Sequence, residues 1–128
     1  MYAAGAEHPL KKPCVTILES IAKDELTAVT SAEVLQEILH RYTALGKRAK
    51  AVEVAQLFLR IVPNVLPVAK DDLLSTLELL TRHAALQARD ALHVAVMQRH
   101  GLQQIISADH HFDGMPGITR LDPANWPG

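Results

Sequence analysis

The sequence predicts an α/β fold, a parallel sheet with helices on both faces. Two observations carry this reading. Segments with helical apolar spacing alternate with short apolar runs, as in a chain that crosses from strand to strand through helices. Proline and glycine punctuate the boundaries between those segments. A length of 128 residues fits a single domain, enough to bury roughly two-thirds of the surface of its unfolded chain.

His8-Pro9 and Lys12-Pro13 open a first helix that runs to about Lys23, with Val15, Ile17, Leu18 and Ile21 at mostly helical spacing. Leu26 to Thr30 is short, β-branched and bounded by polar residues, which predicts a strand. Thr30-Ser31-Ala32-Glu33 resembles a capping box for the next helix. That helix carries Val34, Leu35, Ile38, Leu39, Tyr42 and Leu45 on one face and stops at Gly46. Another runs from about Lys47 to Ile61. Val65 to Val68 reads as a strand that Pro67 confines to an edge. Asp71-Asp72 start a helix to about His83, and Ala88-Arg89-Asp90 start one to His100, closed by Gly101. Gln104–Ser107 reads as a buried strand, residues 109–117 as a loop and Ile118–Leu121 as the last strand.

Composition limits the function. Apolar residues make up 48% and charged residues 21%, which excludes disorder. Aromatics at 4% exclude a stacking platform for many bases. Lys+Arg number 13 against 14 Asp+Glu, so any nucleic-acid contact has to come from a local patch. A lone cysteine, Cys14, excludes an internal disulfide and is expected to be a packing residue in a reducing cytoplasm. No run approaches a membrane span, the N-terminus does not read as a signal peptide, and phosphate-cradling glycine loops are absent.

Function in open α/β sheets gathers at the carboxyl ends of strands. Asp109 directly follows the strand Gln104–Ser107, and Asp90 starts the helix leading into that strand. Glu33 and Glu37 follow the strand Leu26–Thr30. On a helical wheel the apolar arc spans about 140°, with Glu37 about 60° and Glu33 about 100° outside it. Glu37 is therefore the functional candidate and Glu33 a cap. Each acid also has a structural reading: Asp90 as a helix cap, Asp109 in an Asx-turn, Asp113 as the turn residue before Gly114. Converging carboxylates repel one another, a divalent cation removes that cost, and oxygen-only ligands suit Mg²⁺ or Mn²⁺. Such an ion activates water and offsets phosphoryl charge. His110 and His111 lack metal-ligand spacing and are expected to be structural or solvent-facing; His93 is expected to be buried and partnered. The basic residues Arg41, Lys47, Arg48 and Lys50 surround Gly46, either as a solvated corner or as a phosphate contact.

The run Ala88 to Val96 with Gly101, then Ile106-Ser107-Ala108-Asp109-His110-His111-Phe112-Asp113 and Pro116-Gly117-Ile118, resembles the C-terminal half of a PIN domain. More narrowly it resembles the VapC toxins of bacterial toxin–antitoxin pairs, and residues 30–39 resemble the family's second acidic motif. The resemblance implies a three-layer PIN-like fold and a Mg²⁺- or Mn²⁺-dependent endoribonuclease of the cytoplasm. It further implies a homodimer held inactive by a small antitoxin. Glu37, Asp90 and Asp109 match the second, third and fourth acidic motifs and are the expected catalytic residues. Metal ligation is expected from these three and Asp113. RNA contact is expected from Arg41, Lys47, Arg48, Lys50 and Ser107. The family's first strand, which lies mid-sheet and ends in an Asp-Thr-Asn type motif, has no counterpart here; residues 1–9 resemble the stretch immediately downstream of that motif. Two readings fit: an N-terminally incomplete single domain spanning 1–128, or a degenerate, non-catalytic binding module. The otherwise intact motif set favours the first.

Overall fold

The structure, a computed structural model, describes residues 3–126; Met1 and Tyr2, the start of the segment expected to succeed the absent motif, lie outside the described residues, as do Pro127 and Gly128. In order, the elements are α1 (Lys11–Ala22), β1 (Thr30–Ser31), α2 (Ala32–Ala44), α3 (Arg48–Ile61), β2 (Val65–Leu66), α4 (Lys70–Arg82), α5 (Ala88–Arg99), β3 (Gln104–Ile106) and β4 (Thr119–Leu121). Short 3₁₀ turns occupy His110–Phe112 and Pro123–Asn125. Both strand pairs are parallel. Thr30 and Ser31 oppose Val65 and Leu66, and Gln104 to Ile106 oppose Thr119 to Leu121. The α/β class and its parallel connections are as expected. Among the described residues the strands form two separate two-stranded sheets.

The described residues divide into two compact units, one of residues 3–66 with Trp126, the other spanning Pro67–Asn125. In the first unit α2 packs on α3 through Ile38, Tyr42, Ala51 and Ala55, with Val34, Leu35, Leu39, Val54 and Phe58 around them. The corner between these helices closes on Gly46, whose φ of +74° only glycine adopts without strain. There Gly46 N donates to Thr43 O at 2.9 Å and Lys47 N to Tyr42 O at 2.8 Å.

In the second unit α4 and α5 pack around Leu79, Leu86, Ala91, Val94, Ala95, Phe112 and Met115, with Ile105 and Ile118 against this core. Beside it lies an ion pair whose carboxylate is buried and whose guanidinium reaches the surface. Asp72 is 1% exposed. Its Oδ2 caps α4 by accepting from Ala69 N at 2.8 Å. Arg99, at the end of α5, donates from Nε to Asp72 Oδ1 at 2.7 Å, and from Nη2 to Asp72 Oδ2 at 2.9 Å and to Pro67 O at 3.0 Å. One guanidinium thus ties the start of α4 to the end of α5. No described helix is long and apolar enough to cross a membrane.

Local details depart from the sequence reading. Leu26 to Val29 is not strand; only Thr30 of that run pairs, because β2 offers two residues before Pro67, which has no N–H for a ladder. The capping box at Thr30–Glu33 does not form. With Ser31 as the N-cap of α2, Val34 stands at the third helical position where a box needs Glu, and Ser31 makes no side-chain cap bond. Leu45 is 57% exposed because α2 has already ended.

The Asp72–Arg99 pair generates a stability prediction. Arg99's hydrogen bonds hold the Asp72 carboxyl below its ordinary range. A carboxyl depressed in the folded state adds stability above its unfolded value of about 3.9, and that contribution is lost as pH falls through the lowered folded value. Asp72→Ala is expected to lower the melting temperature at pH 7 by roughly 5–10 °C, since it removes the two hydrogen bonds from Arg99 and uncaps α4. Thermal unfolding followed by circular dichroism should show the difference shrinking only in strong acid.

Candidate metal centre

Two helical starts and one strand end build the site, all within the second unit. Asp90 stands in the first turn of α5, where the carboxylate complements the helix N-terminus. Its Oδ2 accepts from Gln87 N at 3.4 Å, so the capping role is real, yet the side chain also reaches a second group. Asp109 follows β3 and caps the 3₁₀ turn His110–Phe112, its Oδ1 accepting from His111 N at 2.9 Å. Asp109 N in turn donates to Ser107 Oγ at 3.0 Å, so the Ser two residues earlier shapes the turn that carries Asp109. Buried Phe112 anchors the far end of the turn in the core.

These anchors bring His111 Nδ1 to 3.1 Å from Asp109 Oδ1 and 3.4 Å from Asp90 Oδ2. Side-chain exposure is 13% for Asp90, 42% for Asp109 and 45% for His111, so the group is open on one side. One ligand atom from each of the three lies within 4.8 Å of the others. Around an octahedral ion with ligands at about 2.1 Å, neighbouring ligands sit about 3 Å apart and opposite ones about 4.2 Å. The two histidine–carboxylate spacings are close to the edge of such an octahedron, so the three residues could hold a divalent cation. From sequence, His111 reads as structural or solvent-facing because adjacent histidines in a loop usually point apart. The missing signal is the tight turn, in which Asp109 caps His111 N while Phe112 anchors the core.

Asp113 is drawn elsewhere. Arg120, on β4, has only 9% of its side chain exposed and donates from Nε to Asp113 Oδ1 at 2.8 Å. Its Nη1 donates to Ser107 O at 3.0 Å and approaches Asp122 Oδ2 at 3.4 Å. Nη2 lies 3.0 Å from His110 Nδ1, which is itself 3.0 Å from Asp113 Oδ2. The guanidinium holds the Asp113 carboxyl below its ordinary range, with His110 adding to the effect. Among the described residues, the group with cation-binding geometry is Asp90, Asp109 and His111, while Asp113 faces Arg120.

The remaining candidates lie in the first unit. Glu37 is half-buried on α2. Arg41, Lys47 and Arg48 are exposed, and Lys50 sits with its Nζ 5.7 Å from the centroid of the Tyr42 ring. No acid stands in the first turn of α3, so Lys47, Arg48 and Lys50 add to the positive end of the helix instead of balancing it. Cys14 is partly buried, and burial pushes its thiol up, away from a reactive thiolate. His93 is half-buried on α5.

Arg120 spans the loop from Ser107 to Asp113, and removing it should loosen that loop first. Arg120→Ala is expected to speed amide exchange at Asp109, His111 and Asp113 by about tenfold, the scale of one lost charge-assisted bond. Hydrogen exchange followed by NMR reads this directly, with the amides of the α2–α3 corner as an unaffected reference.

Comparison with known proteins places the chain in a family. Residues 1–118 match the PIN domain. Ribonuclease VapC13 of Mycobacterium tuberculosis is 44% identical over 121 residues, covering 94% of this chain and 92% of its own length. A VapC ribonuclease of Mycobacterium bovis matches with the same identity and coverage. Ribonuclease VapC23 of M. tuberculosis is 37% identical over 110 residues, 86% of each chain. No solved structure matches. With the match spanning nearly the whole sequence and the fold's parallel α/β connections in place, the chain belongs to the PIN domain family.

Proposed function

We propose that this protein is a Mg²⁺- or Mn²⁺-dependent endoribonuclease, the toxin of a toxin–antitoxin pair, hydrolysing RNA phosphodiesters in the cytoplasm. The observation that carries the reading is the convergence of Asp90 and Asp109, far apart in sequence, onto one cation-sized group in a chain whose relatives are named ribonucleases. A bound divalent cation supplies water activation and charge compensation on the phosphoryl group. The protein's own contribution is placement. Asp90 is fixed by the N-terminus of α5, and Asp109 by Ser107 and the following turn. Glu37 is the third catalytic carboxylate of the proposal, on the strength of its match to the second acidic motif. Asp113 acts through Arg120, holding the Asp109 loop in shape. The RNA backbone meets Arg41, Lys47, Arg48 and Lys50, where cations gather at an uncapped helix start.

The remaining elements of the reading are partners and completeness. A cognate antitoxin and a second copy of the chain are the proposed protein partners. The exposed leucines of α4, Leu73, Leu77 and Leu80, share one face and support a protein contact there. We further propose that the domain is completed by an upstream strand bearing the first acidic motif. The pairing of β1 supports this, because among the described residues it pairs with β2 alone and its other edge is where a further strand can add.

The test compares this chain, a chain extended through the codons upstream of Met1, and the extended Asp90→Asn variant on one RNA with Mn²⁺. The extended chain is expected to cleave RNA in an EDTA-sensitive manner. The shorter chain should be slower by about a hundredfold, the scale of a ~1 Å misplacement of reacting groups. Asp90→Asn and Glu37→Gln in the extended chain should abolish cleavage, whereas Lys47→Ala with Arg48→Ala should weaken RNA binding and its salt dependence. Equal rates for short and extended chains would remove the upstream motif from the mechanism. Full activity in Asp90→Asn would assign the cleavage to another site.

A further inference from the structure

We propose that His111 is a nitrogen ligand of the divalent cation and biases this site toward Mn²⁺ over Mg²⁺. The inference rests on the cation-dependent reading above and deepens it, since carboxylates alone leave the ion open between the two.

Three observations support it. First, the donor atom is aimed. Nδ1, not Nε2, lies 3.1 Å from Asp109 Oδ1 and 3.4 Å from Asp90 Oδ2, on the side of the ring that faces both carboxylates. Both distances approximate the edge of an octahedron around a cation, about 3 Å. Second, the ring's place is set by backbone structure. The His111 amide is held by Asp109 Oδ1 at 2.9 Å, and its neighbour Phe112, 3% exposed, is locked in the core. Amide and imidazole of one residue therefore bracket the same carboxylate. Third, the two histidines of the turn are used differently. His110 Nδ1 is engaged by Arg120 and Asp113, which leaves His111 as the histidine of the turn that belongs to the group.

The chemistry then separates the ions. A neutral imidazole with its proton on Nε2 presents a lone pair at Nδ1. Mg²⁺ is hard and prefers oxygen at near-ideal octahedral geometry, whereas imidazole suits the transition ions. Two carboxylates and one imidazole make a mixed set in which Mn²⁺ keeps oxygen ligands and gains the nitrogen. Replacing the nitrogen by oxygen should favour Mg²⁺ in relative terms. The binding and spectroscopic readouts do not depend on RNA cleavage.

The test uses the chain as it stands, loaded with Mn²⁺. Free Mn²⁺ is followed by its room-temperature EPR signal, with Mg²⁺ as competitor, and the bound ion by electron spin-echo envelope modulation, which detects directly coordinated ¹⁴N. The wild type should show nitrogen modulation. His111→Asp should bind Mn²⁺ without it, and its preference for Mn²⁺ over Mg²⁺ should fall by about tenfold. His111→Gln is a second variant of similar size, and thermal unfolding checks that each variant is folded. Bound Mn²⁺ lacking nitrogen modulation in the wild type would overturn the role of His111 and leave the carboxylate site standing. Nitrogen modulation that survives in both variants would assign the ligand to another histidine and also overturn it. Failure of the wild type to bind Mn²⁺ at all would overturn the role of His111, whereas EDTA-insensitive cleavage by the extended chain would overturn the cation-dependent reading.

Discussion

Repulsion between two carboxylates is the constraint around which the second unit is arranged. Asp90 and Asp109 come from different elements and would separate if nothing opposed their charge. Each is restrained by backbone N–H groups, Asp90 by Gln87 and Asp109 by His111. An imidazole stands between them. These contacts are directional and leave one side of the group open, where a positive ion can enter.

Two arginines fix the frame behind that arrangement, and they differ in kind. Arg99 pairs with a carboxylate removed from water and closes the α4–α5 unit at the end opposite Asp90. Arg120 pairs with a half-exposed carboxylate and organises one loop. In the first pair only the carboxylate is interior, so loss of Arg99 would leave a buried charge unpaired, whereas loss of Asp72 leaves an arginine that reaches water. The second is an arginine with 9% of its side chain exposed that holds Asp113, His110, Ser107 O and Asp122 around one turn, so its loss acts first on the order of that loop.

Helices were legible in the sequence because their limits are chemical. Gly46 and Gly101 adopt positive φ where α2 and α5 end, and Pro67 stops β2. The absence of strand at Leu26–Val29 was not legible, because a strand is a relation between two segments and the partner here is two residues long. Asp90 and Asp109 could be placed from their positions relative to the last helix and strand. His111 and Arg120 could not. The direction of an imidazole depends on a 3₁₀ turn, and the reach of an arginine on strand pairing, and neither leaves a periodic trace. Asp72 read as a helix-start acid, and only the packing of α4 on α5 shows it to be an interior charge.

The composition of α5 has a genetic consequence. Ala91, Val94 and Ala95 are at most 2% exposed on a helix whose first turn carries Asp90 and whose last residue is Arg99. A core packed this closely has no space for an added methylene, and overpacking shifts backbone instead of being absorbed. Selection against activity should therefore collect inactivating changes along the whole length of α5, including enlargements of alanines that touch no ligand. Exposed positions of α3 beyond its basic first turn, such as Glu53 and Gln56, should meanwhile tolerate wide variation.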